Sequence, residues 1–206
     1  MENQIIILKL KHCALLLLML FAFLPVQAQD TAPAARSTRL DDGLQFVPMA
    51  AMYGLDLCGV KARHTVARQT VTLLMAEVVN EAMVKGLKTV VDERRPDKTD
   101  LNAFPSGHAA RAFLGAEFLY QEYRDVSPWI GVAGYAVAAT TGYLRIRHDR
   151  HYTHDVVAGA VIGVASAKFA YWLYPRLFKE KKGDTAWMAS PYCSSEGAGV
   201  CGRMVF

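Results

Sequence analysis

The apolar residues of this chain gather into five or six runs, each cut off from the next by a short charged link. Such runs must be buried against protein or lipid, which confines the chain to packed helices in a helical membrane bundle or an unusually apolar soluble bundle. Its 206 residues leave room for one domain of ordinary size. The apolar fraction of 52% is high for a soluble protein of that length. A formal charge of +4 is modest, and the basic residues sit in links and motifs instead of a stripe. No nucleic-acid module is visible, so nucleic acid is not expected as a partner.

Residues 1–28 read as a secretory signal, with Lys9, Lys11 and His12 before an apolar core and Val26-Gln27-Ala28 as a small-residue cleavage site. The alternative is an uncleaved first membrane helix. Either way the chain is addressed to the bacterial inner membrane. Residues 29–43 read as a solvated linker and 44–178 as the main domain. Residues 179–206 read as a loosely ordered, Gly/Ser-containing tail. Within the main domain, Leu44–Val60 is a marginal span with Asp56 inside it. A helix is expected over Val66–Val91, with Glu77, Glu81, Lys85 and Lys88 on one face, which in lipid must turn toward other helices and in a soluble bundle could face water. Further helices are expected over Gly107–Tyr123, Trp129–Tyr143 (uncharged, and the best span) and Val156–Tyr174, where Gly159 and Gly163 give a close-packing spacing. The fold class expected is therefore all-α, a membrane bundle of five to six helices. Cys13 and Cys58 lie in apolar runs. Cys193 and Cys201 could pair if the tail lay in an oxidising compartment.

Counting crossings puts three polar islands on one side of the membrane, the periplasmic side, and the basic runs Lys61–Arg68 and Arg176–Lys182 on the other. The first island, Lys88 to Pro96, offers Lys88 as a point charge and Arg95 as a planar fork for phosphate oxygens, with Pro96 ending the helix. The second is Pro105-Ser106-Gly107-His108. Ser106 is a candidate N-cap, and Gly107 leaves the helix N-terminus open to an anion beside His108. The third runs from Leu144 to Asp155. There His151 and Asp155, four apart, share a helix face if the last helix starts nearby, so a carboxylate can orient one imidazole nitrogen and leave the other as nucleophile or base. Arg145 adds a third cation. Arg147, Asp149 and Arg150 read as surface charge, and Asp155 has an N-cap role as its plainer alternative. Lys88, Arg95 and Arg145 together suit a phosphate of about −2 charge, and phosphoryl transfer is largely electrostatic positioning.

The set Lys88-x6-Arg95-Pro96, Pro105-Ser106-Gly107-His108 and Arg145-x5-His151-x3-Asp155 resembles the three-part signature of the type 2 phosphatidic acid phosphatase (PAP2) superfamily, over about residues 44–178. The resemblance implies a metal-independent phosphatase without a cofactor. His151 would attack phosphorus and Asp155 would orient it. His108 would protonate the leaving oxygen and later activate water. Lys88, Arg95, Ser106, Gly107 and Arg145 would hold the phosphoryl oxygens. The family usually has Ser before the arginine of the third motif, and here it is Leu144, so no phosphate contact is assigned there.

The apolar helices and the signal favour a phosphorylated membrane lipid as substrate. Lipid A phosphate comes first, with undecaprenyl pyrophosphate and phosphatidylglycerol phosphate as alternatives. A vanadate-dependent haloperoxidase would reuse the same anion site, and a metal centre would draw on His148, His151, His154 and Asp149 or Asp155. The motifs carry no head-group code and nothing about oligomeric state.

Overall fold

The computed structural model describes residues 39–99, 101–178, 186–194 and 197–205. The signal or first helix expected at 1–28 and the linker up to residue 38 lie outside the described residues. Among the described residues six helices follow in order: α1 Arg39–Leu44, α2 Val47–Leu57, α3 Val66–Val90, α4 Gly107–Tyr123, α5 Pro128–Arg147 and α6 Thr153–Leu177.

The bundle is built around α4, which packs against α2, α3, α5 and α6. Its sequence explains the position. Ala109, Ala110, Ala112, Gly115 and Ala116 keep its surface thin, and Leu114, Phe118 and Tyr123 fill the space between neighbours; all are buried. Small residues on the flanking helices answer it. A Cβ at Gly159 of α6 would overlap the Ser106 carbonyl oxygen, and one at Gly163 the Ala110 carbonyl oxygen. A Cβ at Gly131 of α5 would press into Tyr120. The Gly159/Gly163 pair therefore seats α6 directly on the first turns of α4. That contact sets the distance between the second and third islands.

Of the α3 stripe, Glu77 and Glu81 turn toward α4, while Lys85 stays exposed. Arg111 of α4 pairs with Glu81 and lies 3.8 Å from Glu77, and Lys85 stands 3.2 Å from Glu81. At the far end of the bundle, Glu122 accepts hydrogen bonds from the His64 backbone N–H (3.0 Å) and the Tyr171 hydroxyl (2.6 Å). Tyr123 donates to Asp56 at 2.8 Å, which explains the acid inside the Leu44–Val60 segment.

Several expectations need correction. The Leu44–Val60 run forms only the 11-residue α2, about 16 Å of helix against a hydrocarbon core of about 30 Å. It is too short to span. Among the described residues the one helix long and apolar enough to cross a membrane is α6; α5, expected to be the best span, continues into Arg145 and Arg147. Pro96 does not end α3, which stops at Val90. The part of the linker that is described is helical, and its Asp41 is fully buried. The tail expected to be loosely ordered carries an antiparallel hairpin, β1 Ala186–Ser194 with β2 Gly197–Val205. Its register sets Cys193 opposite Ala198 and Cys201 opposite Ser190.

Candidate active site

The three islands meet at one end of the bundle, and backbone hydrogen bonds join them. The N–H of Ser106 donates to the carbonyl of Asp155 at 3.0 Å, tying the second island to the third. The N–H of Asp97 donates to the carbonyl of Asp149 at 3.0 Å, and Arg150 donates to the Asp97 carboxylate at 3.0 Å, tying the first to the third. Arg150 is therefore a strut between islands, in place of the plain surface charge expected of it. Lys88, in the last turn of α3, donates to the carbonyl of Asn102 at 2.6 Å.

Ser106 is fully buried as the N-cap of α4, its hydroxyl 3.5 Å from the Ala109 N–H. This is the capping role weighed from sequence. At Gly107 a Cβ would meet only Val84, at an ordinary 3.6 Å. Protein packing leaves room for a side chain there, so packing alone does not call for a glycine at this position.

His151 is buried at 3% exposure just before α6, whose N-cap is Tyr152. It precedes the helix, so the shared helical face expected for His151 and Asp155 does not form. The Nδ1 of His151 lies 2.7 Å from the carbonyl oxygen of Ala103 and 3.5 Å from Asp155 Oδ2. A carbonyl only accepts, so Nδ1 carries the hydrogen and Nε2 is the unprotonated nitrogen. Asp155 accepts instead from the Tyr152 N–H at 2.8 Å, reaching back from N3 to the N-cap. The acceptor that fixes the His151 ring is a backbone atom, which no motif reveals.

Burial drives the His151 pKa down to about 3, and the charges of Arg145, Arg95 and Lys88 push in the same direction against the Ala103 hydrogen bond. The three cations predicted from sequence are thus those that act on this imidazole. At neutral pH His151 is neutral, with an available lone pair inside a positive field. Leu144 is half-buried on α5, one residue before the buried Arg145.

Two further carboxylates reach the site from α1. Asp41 accepts from Arg145 at 2.8 Å with His148 Nδ1 3.5 Å away, and Asp42 Oδ1 lies 2.8 Å from His108 Nε2. Sequence reasoning placed both in a linker, because nothing local distinguishes them from a solvated acidic pair. The metal centre considered from sequence is not assembled from its histidines: His148 faces Asp41, His151 faces Ala103, and His154 groups with Glu93 (2.8 Å) and Asp155 (3.2 Å).

All three islands fall within residues 69–179, which match the model of the PAP2 superfamily. The chain belongs to the PAP2 superfamily. Among its PAP2 relatives, the lipid A 1-phosphatase of Porphyromonas gingivalis is 34% identical over 157 residues, covering 74% of this chain and 35% of that protein. The lipid A 4'-phosphatase of Bacteroides thetaiotaomicron is 35% identical over 82 residues, covering 40% of this chain and 36% of that protein. The chain spans about a third of the length of these curated relatives. The crystal structure of Aquifex aeolicus LpxE shares the fold, with a TM-score of 0.52 and 22% identity over 67% of this chain and 88% of that one.

Proposed function

We propose that this PAP2 chain is a membrane phosphatase that removes phosphate from a lipid, with lipid A phosphate as the substrate, through a phosphohistidine on His151. The observation that carries the reading is the state of His151: neutral, its Nδ1 hydrogen committed to Ala103, and set within the fields of Arg145, Arg95 and Lys88. Its Nε2 attacks phosphorus, the P–O bond to the lipid breaks, and His108 gives its proton to the leaving oxygen. His108 then takes a proton from water as the water attacks the phosphohistidine. This releases inorganic phosphate and restores Nε2. Lys88, Arg95, Arg145 and the open helix start at Gly107 hold the phosphoryl oxygens, whose charge is spread in a loose transition state. Ser106 supports that helix start as its cap, and Asp155 holds the His151 turn through Tyr152.

The relatives named for lipid A support the substrate class. A membrane setting is supported by apolar side chains on the bundle surface, including Leu74, Val78, Val132, Val157 and Val161, each more than half exposed. A periplasmic opening is supported by the basic residues gathered at the opposite end, where the Arg63 N–H donates to the Glu122 carbonyl and Arg68 stacks on Tyr174. Phosphate release by the purified protein from lipid A, undecaprenyl pyrophosphate, phosphatidylglycerol phosphate and phosphatidate, with products read by mass spectrometry, tests the reading. Release from lipid A with vanadate inhibition is expected. Turnover of none of the four, or turnover indifferent to vanadate, overturns it.

A further inference from the structure

Asp42 and Gln45 are three apart at the end of α1 and in the turn after it, and His108 and Arg111 are three apart on α4. The two pairs meet like for like. His108 Nε2 lies 2.8 Å from Asp42 Oδ1, and Arg111 donates to Gln45 Oε1 at 2.8 Å. Gln45, itself buried, turns its amide back onto the Asp42 carbonyl at 2.8 Å, and the Arg111 guanidinium sits over the Phe46 ring at 5.5 Å. One residue earlier, Asp41 is sealed against Arg145. Three contacts therefore fix the end of α1 and the turn after it on the start of α4, and the Asp42 carboxylate is placed against one imidazole nitrogen.

We propose that Asp42 is the positioning carboxylate of His108, so that α1 forms a wall of the active site and the histidine at the start of α4 works as a histidine–carboxylate pair. The proposal rests on the phosphatase reading above, in which His108 is the proton donor. A carboxylate at hydrogen-bond distance selects the ring orientation and favours the imidazolium, which keeps a proton available for the leaving oxygen. Asp42 itself takes no proton and touches no reacting atom. Burial lowers the proton affinity of His108 and Arg145 from α5 pushes the same way, so the opposing hydrogen bond and charge of Asp42, with Asp41 behind it on α1, are what hold a proton there. Arg145 pairs with Asp41 at 2.8 Å and stands 3.9 Å from the Asp42 Oδ1, whereas that same oxygen is at hydrogen-bond distance from His108. A plug that must leave before substrate enters is the competing role for these acids. The tether through Gln45 and Arg111 speaks against it.

The test uses the full chain in detergent micelles, comparing wild type with Asp42→Asn. The imidazole of His108 is titrated by NMR, which needs no turnover, and kcat for phosphate release from lipid A is measured against pH. The expected result is a His108 titration, and an alkaline limb of kcat, moved about one pH unit lower in the variant, as loss of a close opposite charge predicts. The position of a limb does not depend on how much protein folds, so a merely structural role would leave it in place. An unmoved titration overturns the proposal, and so does a rise in kcat/KM, which is the signature of a plug. Wild-type inactivity on lipid A with a displaced His108 titration would instead fault the substrate reading and leave Asp42 as the partner of His108.

Discussion

His151 gives its Nδ1 hydrogen to the carbonyl oxygen of Ala103 at 2.7 Å, while the carboxylate of Asp155 stands off at 3.5 Å. The backbone just before the second island thus fixes the tautomer of the candidate nucleophile, and Asp155 shapes the turn that carries it.

That division of labour separates two substitutions. His151→Ala should abolish phosphate release and leave a folded bundle. Asp155→Asn keeps an acceptor for the Tyr152 N–H and leaves the Ala103 bond intact. It should cost about 10- to 100-fold in kcat, the scale of a hydrogen bond to a charged group. Steady-state kinetics of both variants, with circular dichroism for fold, decide the matter, and equal inactivity would return the orienting role to Asp155.

The low proton affinity of His151 has a thermodynamic consequence. In the folded chain its pKa is pushed down to about 3, whereas an unfolded histidine titrates near 6.5. The unfolded state therefore binds more protons below that value, and stability falls as pH drops from about 6.5 toward 3. Thermal melts between pH 7 and 4 should show a decline in the midpoint that is shallower in His151→Ala than in wild type. Parallel declines would contradict the burial argument.

Two glycines near the site should behave oppositely. Gly163→Ala drives a methyl into the Ala110 carbonyl between α6 and α4 and should destabilise by about 1–3 kcal/mol as overpacking does. Gly107→Ala meets only Val84 at 3.6 Å. It should fold normally yet raise KM, because a methyl then crowds the helix start where phosphate would approach. Chemical denaturation and kinetics together check the pair.

The strut between Asp97 and Arg150 should matter for order more than for stability. Burial opposes ionisation of Asp97, but the Thr99 hydroxyl and N–H together with Arg150 hold its carboxyl below the usual range. Its contribution is therefore complete above about pH 3.9 and lost only as pH falls through the lower folded value. Arg150→Ala should cost under about 1 kcal/mol, as partly exposed pairs do. It should still speed amide exchange at Asp97, whose N–H bonds to Asp149. Hydrogen exchange with mass detection reads this directly.

Much of this arrangement was legible in the chain itself. Apolar runs set the helices because each had to bury a face, and the start of α4 followed from a serine cap beside a glycine. The three cations and two histidines stood in recognisable spacing. The glycine pair of α6 also announced a close helix contact, since only a missing Cβ lets two backbones approach so nearly. What the sequence could not determine depended on atoms brought together from distant places. The backbone carbonyl of Ala103 has no side-chain signature, and Asp41 and Asp42 look like any solvated acidic pair until α1 is laid against α4. The length of α2 and the start of α6 at Thr153 were likewise settled by packing, because a helix ends where its neighbours stop supplying partners. Residue types fixed the chemistry available to this protein; the tertiary contacts decided which nitrogen, which carboxylate and which carbonyl face one another.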